Sequence, residues 1–230
     1  NHDPATGEVV GHIAASTKVD VEGAIDGCQD AFERSGWATA SFEERANVIS
    51  NLARAIHDRA DEFAEIERGD TGKPLHVCKA MDIARAAHNF EFFAGYARHM
   101  PHSCQPVESG LHYTQTKPAG VVSLITPWNL PMYLLTWKLA PALMIGNACV
   151  AKPATNTPSS VSLLAQVCLE ARLPPGLFNV VHARGALAGD AMFKHPAAKR
   201  ASCTRRADTR RDVAAAPRAG VHPLSLAISP

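Results

Sequence analysis

The sequence predicts an α/β protein, a parallel sheet with flanking helices. Three observations carry that expectation. After Pro118 the chain shows three short, nearly continuous apolar runs rich in Val and Ile: "GVVSLIT" (120–126), "NACVAKP" (147–153) and "LFNVVH" (177–182). Helical patterns lie between and after them, at about 132–144, 158–171 and 186–194. Short buried strands alternating with helices are the pattern of βαβ units. Each run also ends in a polar cluster, "TPWN", "KPATN" and "HARG". On an open parallel sheet ligands bind outside the carboxyl ends of the strands, so the three clusters should line one edge together.

The preceding elements follow in order. The opening, "NHDPATGEVVGHIAAS", is polar and turn-rich and carries no secretory signal. Residues 20–33 read as a first helix, with Asp20 able to cap it and Val21, Ala24, Ile25, Cys28, Ala31 and Phe32 on one stripe. Ser41 starts a second, with Glu44 three residues on, the capping-box pattern. Its stripe runs through Ile49, Leu52, Ala53, Ile56 and Phe63. "GDTGKP" punctuates the chain. A third helical pattern covers roughly 74–99, with Ile83, Ala87, Phe90 and Ala94 on one face, and "ARHMPHSCQPVESG" reads as loop.

The 230 residues suffice for one large domain or two small ones. Hydrophobic residues make up 46% and charged residues 20%, and the net charge is +1, so no global field selects nucleic acid or acidic ligands. The six cysteines are dispersed without a C-x-x-C pair. Cys149 and Cys168 sit in apolar runs as small buried hydrophobes. Reduced thiols in a cytoplasmic setting are the expectation. Residues 130–151 have the length of a membrane span, but Lys138, Asn147, Pro131 and Pro141 interrupt them. A buried helix followed by a buried strand is the better account, and no membrane partner is expected. His99, His102 and Cys104 form H-x-x-H-x-C, with His112 nearby. That spacing matches no common zinc pattern, so no metal is expected.

The strand ends carry the candidate chemistry. Pro127 fixes φ, Trp128 offers a flat wall, and Asn129 places an amide donor beside a helix start. Asn129 either holds an oxyanion in a dry site or caps the helix beginning near Pro131 or Met132. Lys152 is either a ligand-facing cation or a solvated charge, and Thr155 is either a ligand contact or a loop residue before a helix capped near Thr157. Gly185 and Gly189 form G-x-x-x-G, which permits close backbone approach but is not the G-x-G-x-x-G fingerprint.

"SLITPWNLPMYLLTWKLAPALMIGNACVAKPA" resembles the signature region of aldehyde dehydrogenases, which carry a PWN turn, an "APAL-x-x-GN" helix end and a "KP" strand end in this order and spacing. "DTGKPL" and "PPGLFNVV" extend the likeness, which runs from "NHDPATGE" to about Lys194. "AMDIARAAHNFEFFAGYA" is most similar to the branch acting on 2-aminomuconic or 2-hydroxymuconic semialdehyde. The resemblance implies a partial, incomplete Rossmann-like NAD(P)-binding domain over residues 1–198, oxidation of a small-molecule aldehyde to a carboxylic acid, and a homo-oligomer for the complete protein. A cysteine thiolate attacks the aldehyde, hydride passes to the nicotinamide, and glutamate-activated water hydrolyses the thioester. In that scheme the Asn129 amide stabilises the thiohemiacetal oxyanion. Ile125 and Trp128 line the cofactor channel, Thr126 touches it through its backbone, and Pro127 belongs to the same turn. Lys152 reaches the adenosine ribose. Thr155 stands where the family often has a ribose-binding glutamate. A carboxylate there would repel a 2′-phosphate and a threonine would not, so NAD and NADP are both expected. Gly185 and Gly189 match the turn where a helix approaches the cofactor.

Beyond residue 198 the pattern breaks. The family's "SFTGS" is replaced within "ASCTRRADTRR" (201–211), where Ser202 and Thr204 match but Cys203, Arg205 and Arg206 stand for Phe, Gly and Ser. "HPLSLAISP" keeps only Leu224, Ser225 and Leu226 of "LSLELGGKNP", without its general-base glutamate. The catalytic cysteine, far beyond this point in the family, is absent, and Cys203 lies in the wrong motif. Arg172, Arg205 and Arg210 occupy positions where glycine is favoured. Residues 199–230 are therefore expected to be a divergent, mis-framed or decayed tail, and the chain a fragment inactive by itself. The alternative is a non-catalytic remnant that binds a dinucleotide or a sister subunit. The cluster Lys199, Arg200, Arg205, Arg206, Arg210 and Arg211 offers a lesser reading, polyanion binding.

Overall fold

The computed structural model describes residues 1–205 and 224–228. Helix α1 (Lys18–Arg34) starts at Thr17, whose extended backbone and hydroxyl make a reciprocal cap with Asp20. Asp20 is thus the partner inside the first turn, not the cap expected for it, because the last extended residue before the helix is Thr17. Helix α2 (Phe42–Asp58) has the expected capping box: Ser41 Oγ accepts from the Glu44 amide at 3.1 Å and Glu44 accepts from the Ser41 amide at 2.7 Å. The stripe drawn through Phe63 spans two helices. The chain leaves helical geometry at Arg59, whose side chain binds Glu62 and Glu170, and α3 (Ala60–Thr71) begins there. Gly72, at φ +71°, ends α3 in the left-handed region.

The helix expected over 74–99 is interrupted. It comprises a short α4 (Leu75–Val77), a π-helical segment (Cys78–Ile83) and α5 (Ala84–Arg98). The wide turn puts the buried Asp82 against Lys73, and a buried carboxylate requires such a partner. The following segment is not all loop. β1 (Cys104–Val107) and β2 (Gly110–Tyr113) pair antiparallel as a hairpin that is almost entirely exposed. With no buried face, its sequence has no alternation to read.

The three expected strands are β3 (Val121–Ile125), β4 (Ala148–Lys152) and β5 (Phe178–Val180). The helices among them are α6 (Pro131–Met144), α7 (Ser159–Glu170) and α8 (Gly185–Lys194). β6 (Ala198–Arg205) and β7 (Leu224–Ile228) complete a five-stranded parallel sheet in the order β5-β4-β3-β6-β7. The sheet thus runs across the boundary drawn at residue 198. Arg206, Arg210 and Arg211, and with them the polyanion reading of the tail, lie outside the described residues.

β3 and β4 are buried throughout, which is why both read as continuous apolar runs. Helices α1 and α8 pack on each other and on the sheet, and α6 and α7 form a second layer backed by α2, α3 and α5. Arg45 closes the carboxyl end of α6, its Nε 2.8 Å from the Met144 carbonyl, while Trp37 Nε1 donates to the Leu143 carbonyl at 3.0 Å. The turn into β4 needs glycine at 146: φ is +100°, and a Cβ would lie 3.2 Å from Arg45 Nη1. Among the described residues no helix is long and apolar enough to cross a membrane.

Candidate functional site

Strand order places the site. From β3 the chain steps outward to β4 and β5, then returns to lay β6 on the other flank of β3. The carboxyl end of β3 is therefore the point where the sheet reverses its winding, the usual ligand crevice of an open α/β sheet. The turn "TPWN" leaves the sheet there, "KPATN" leaves from β4 beside it, and "HARG" leaves from β5 next along. The structure brings all three clusters to one edge, as their position after the strands requires.

The turn itself is firmly seated. Ile125 and Thr126 are buried, and the Thr126 amide donates to the Lys152 carbonyl at 3.2 Å, tying the ends of β3 and β4. Pro127 and Asn129 are half-buried, while Trp128 is 58% exposed, a large apolar face presented outward. Beneath the turn, Lys138 Nζ donates to the Ile125 carbonyl at 2.8 Å. Burial pushes that amine down to about 8, against the opposing influence of Cys203.

The cap question about Asn129 has a direct answer. The N-cap of α6 is Leu130, with no side-chain capping bond. The Met132 amide instead donates to Glu67 Oε1 at 3.3 Å, from α3, 65 residues earlier. The N-cap residue of α6 is thus Leu130 and not Asn129. Nor does Thr157 cap α7: the N-cap is Pro158, and the Ser159 amide and hydroxyl donate to Asp70 at 2.8 and 2.9 Å. Both helix starts are held by carboxylates of α3.

The remaining expected residues take different positions. Lys152 is buried and its Nζ donates to the Pro153 carbonyl at 2.7 Å. Thr155 is exposed on the loop between β4 and α7. His182, after β5, lies 3.1 Å from Ser162 Oγ, and burial together with the charge of Lys152 lowers its pKa. Gly185 opens α8 behind Arg184, an exposed N-cap that makes no side-chain capping bond. Gly189 is buried, and a Cβ there would meet only the Phe193 ring at 3.6 Å, so protein contacts alone do not demand glycine. The α8 start is a suitable seat for phosphate: a ten-residue helix at the ligand edge, uncapped by its own side chain, with a guanidinium beside it.

Some of the surrounding residues were not legible. Phe92, Tyr96 and Trp137 are each about half exposed and join Phe93 and Tyr133 in an aromatic strip on α5 and α6. Arg85 sits over the Tyr133 ring at 5.5 Å. At the sequence level these aromatics look like the core stripe of a helix. Glu67 and Asp70 look like surface charges, and only their three-residue spacing hints at a shared face. His102 tilts against the Phe42 ring at 6.3 Å, and among the described residues no His, Cys, Asp or Glu group is arranged to hold a metal.

Known proteins resemble the chain at every level. The model of the aldehyde dehydrogenase family matches residues 1–229. A 2-aminomuconic semialdehyde dehydrogenase of Bos taurus is 40% identical over 198 residues, covering 85% of this chain and 40% of the bovine protein. A 2-hydroxymuconic semialdehyde dehydrogenase of Pseudomonas sp. (strain CF600) is 36% identical, covering 97% and 47% respectively. The NAD+ complex of an aldehyde dehydrogenase from Bacillus cereus superposes with a TM-score of 0.95 at 31% identity, over 99% of this chain and 47% of that one. The chain thus spans less than half the length of these relatives. With that family model matching residues 1–229, the chain belongs to the aldehyde dehydrogenase family.

Proposed function

We propose that this chain forms the dinucleotide-binding and oxyanion-holding part of an NAD(P)-dependent dehydrogenase that oxidises a small semialdehyde to the acid. One observation carries the reading. Asn129 stands at the switch point of the sheet, and the helix start it would otherwise cap is held by Glu67. That position at the ligand edge supports the reading of its amide as the oxyanion donor. The residues fit a dinucleotide: the α8 start with Gly185 and Arg184 suits the diphosphate, Lys152 at the end of β4 and Thr155 on the loop after it would serve the ribose, and Ile125, Thr126, Pro127, Trp128 and Gly189 would frame the channel. Exposed Thr155 adds no negative charge, so either NAD or NADP is accommodated. Bound, the nicotinamide supplies the hydride acceptor.

The chemistry asks one thing of Asn129. A thiolate attack on the aldehyde carbon forms a C–S bond and moves the carbonyl electron pair onto oxygen. An amide donor aimed at that oxygen stabilises the charge as it develops, and it does most in a site that excludes water. The aromatic strip on α5 and α6 supplies an apolar wall, and Arg85 over Tyr133 gives it a cation suited to an aldehyde that carries a carboxylate, as a muconic semialdehyde does. The free cysteines support a cytoplasmic setting, and a homo-oligomer is the assembly proposed for the complete protein. The test is Asn129→Ala in the full-length protein with 2-aminomuconic or 2-hydroxymuconic semialdehyde. The expected loss in kcat is about 10²- to 10³-fold, the usual effect of removing one oxyanion donor. An unchanged kcat overturns the assignment.

A further inference from the structure

Glu67 and Asp70 lie one turn apart on α3, and both are buried. Neither belongs to the strand-end clusters. Yet each reaches the first turn of a different helix, Glu67 the Met132 amide of α6 and Asp70 the Ser159 amide and hydroxyl of α7. Those two helices begin where the PWN turn and the KPATN loop end. Negative charge is favoured at a helix N-terminus, and a buried helix start requires its free amides to be satisfied.

We propose that Glu67 and Asp70 are positioning residues: their carboxylates fix the starts of α6 and α7 and thereby set the two loops, 126–130 and 153–158, that face the ligand. One rigid helix thus holds both loops in a common frame, so that the Asn129 amide and the ribose-facing loop keep their separation. This deepens the function proposed for Asn129 and rests on it.

The surroundings of both carboxylates are polar and close. Asp82 and Lys73, paired with each other, face Glu67 from the π-helical segment and the loop after α3, with Cys78 alongside and Ser160 facing it from α7. Asp70 is met by Ser159 and by the side-chain amide of Asn1. Desolvation raises Glu67 to about 7 against the opposing hydrogen bonds, and raises Asp70 as well. The Glu67 contact to α6 therefore changes charge near neutral pH, which makes it observable.

The experiment is ¹H–¹⁵N spectroscopy of the 230-residue chain between pH 5 and 9, in wild type, Glu67→Gln and Asp70→Asn. The Met132 amide should titrate near neutrality, and the Trp128 indole and Asn129 carboxamide signals should move with it. In Glu67→Gln these movements should vanish while Ser159 is unaffected. In Asp70→Asn the Ser159 amide should shift while Met132 keeps its titration. A Met132 amide shift that is the same in wild type and Glu67→Gln at every pH overturns the anchor. A titrating Met132 with static Trp128 and Asn129 signals overturns the positioning role, because the contact then leaves the turn unmoved. These readouts need no turnover, so they fail separately from the kinetic test of Asn129. Glutamine keeps the accepting oxygen, so Glu67→Gln tests the charge without removing the hydrogen bond.

Discussion

Arg172 carries the only positive φ among the described non-glycine residues, +67°. It follows the α7 cap at Ala171, its amide donating to Leu169 at 3.0 Å, and the next amide, Leu173, donates to Cys168 at 2.9 Å. That pair of bonds is a Schellman ending, whose left-handed position favours glycine. An arginine there has a side chain in solvent and a Cβ against the following carbonyl. Arg172→Gly should therefore stabilise the chain by about 0.5–1 kcal/mol, less than the full left-handed penalty because glycine also gains freedom when unfolded. Urea unfolding measures this as a raised midpoint at constant slope. A lowered midpoint would mean that the side chain makes a contact worth more than the backbone cost. The same position illustrates what a sequence shows: arginine in place of the family's glycine marks a mismatch, but only the backbone angle says that the mismatch is strained rather than relieved by a changed loop.

At the scale of elements, α3 links buried charge to stability. Glu67 is raised from the ordinary carboxylate range to about 7 because burial disfavours its charged form. The folded state thus binds that proton more tightly than the unfolded chain. Its stabilising contribution is full below about pH 4.5, declines as pH rises, and is gone above about 7. Glu67→Gln cannot titrate, so it should remove a decline on the order of 3 kcal/mol across that window, and the variant should match or exceed wild type at pH 8. Unfolding free energies at pH 5 and pH 8 check this; an equal decline in both proteins refutes it. Asp70 shifts in the same direction and leaves a residual slope in the variant. The strands and helices that pack in βαβ order were legible because their faces are buried and periodic. The cap at Ser41 was legible because both partners lie within four residues. The caps of α6 and α7 were not, because their partners come from α3, 65 and 89 residues away. The hairpin Cys104–Tyr113 was missed for a different reason: it buries nothing, so hydrophobic pattern has no purchase on it.

For the whole molecule, the question is what 230 residues can do when they span less than half of their relatives. The ligand edge is present: the PWN turn, the KPATN loop and the α8 start all lie among the described residues and rest on one continuous core. Among the described residues five thiols are buried and one is exposed. Cys28, Cys78, Cys149, Cys168 and Cys203 are buried, and the exposed Cys104 lies on the β1–β2 hairpin. Burial pushes the Cys28 thiol up to about 12 and Cys149 well above its ordinary value, the opposite of an activated nucleophile. Cys203 pairs with Ile125 in the sheet, so its backbone is committed to the ladder and its side chain to the interior. Binding and turnover should therefore separate in the isolated chain. NAD or NADP at ten times its dissociation constant should stabilise the fold by about 1.4 kcal/mol, a rise in Tm of roughly 3–6 °C for a chain of this size. The same sample, given a muconic semialdehyde, should form no NADH or NADPH. Absorbance at the reduced-nicotinamide band and a thermal scan decide both on one preparation. Turnover by the pure chain would show that a thiol within these residues reaches the substrate, and would end the reading of it as the cofactor half alone. An unmoved Tm with both dinucleotides would remove the ligand edge itself, and with it the placement of Lys152, Thr155 and the α8 start.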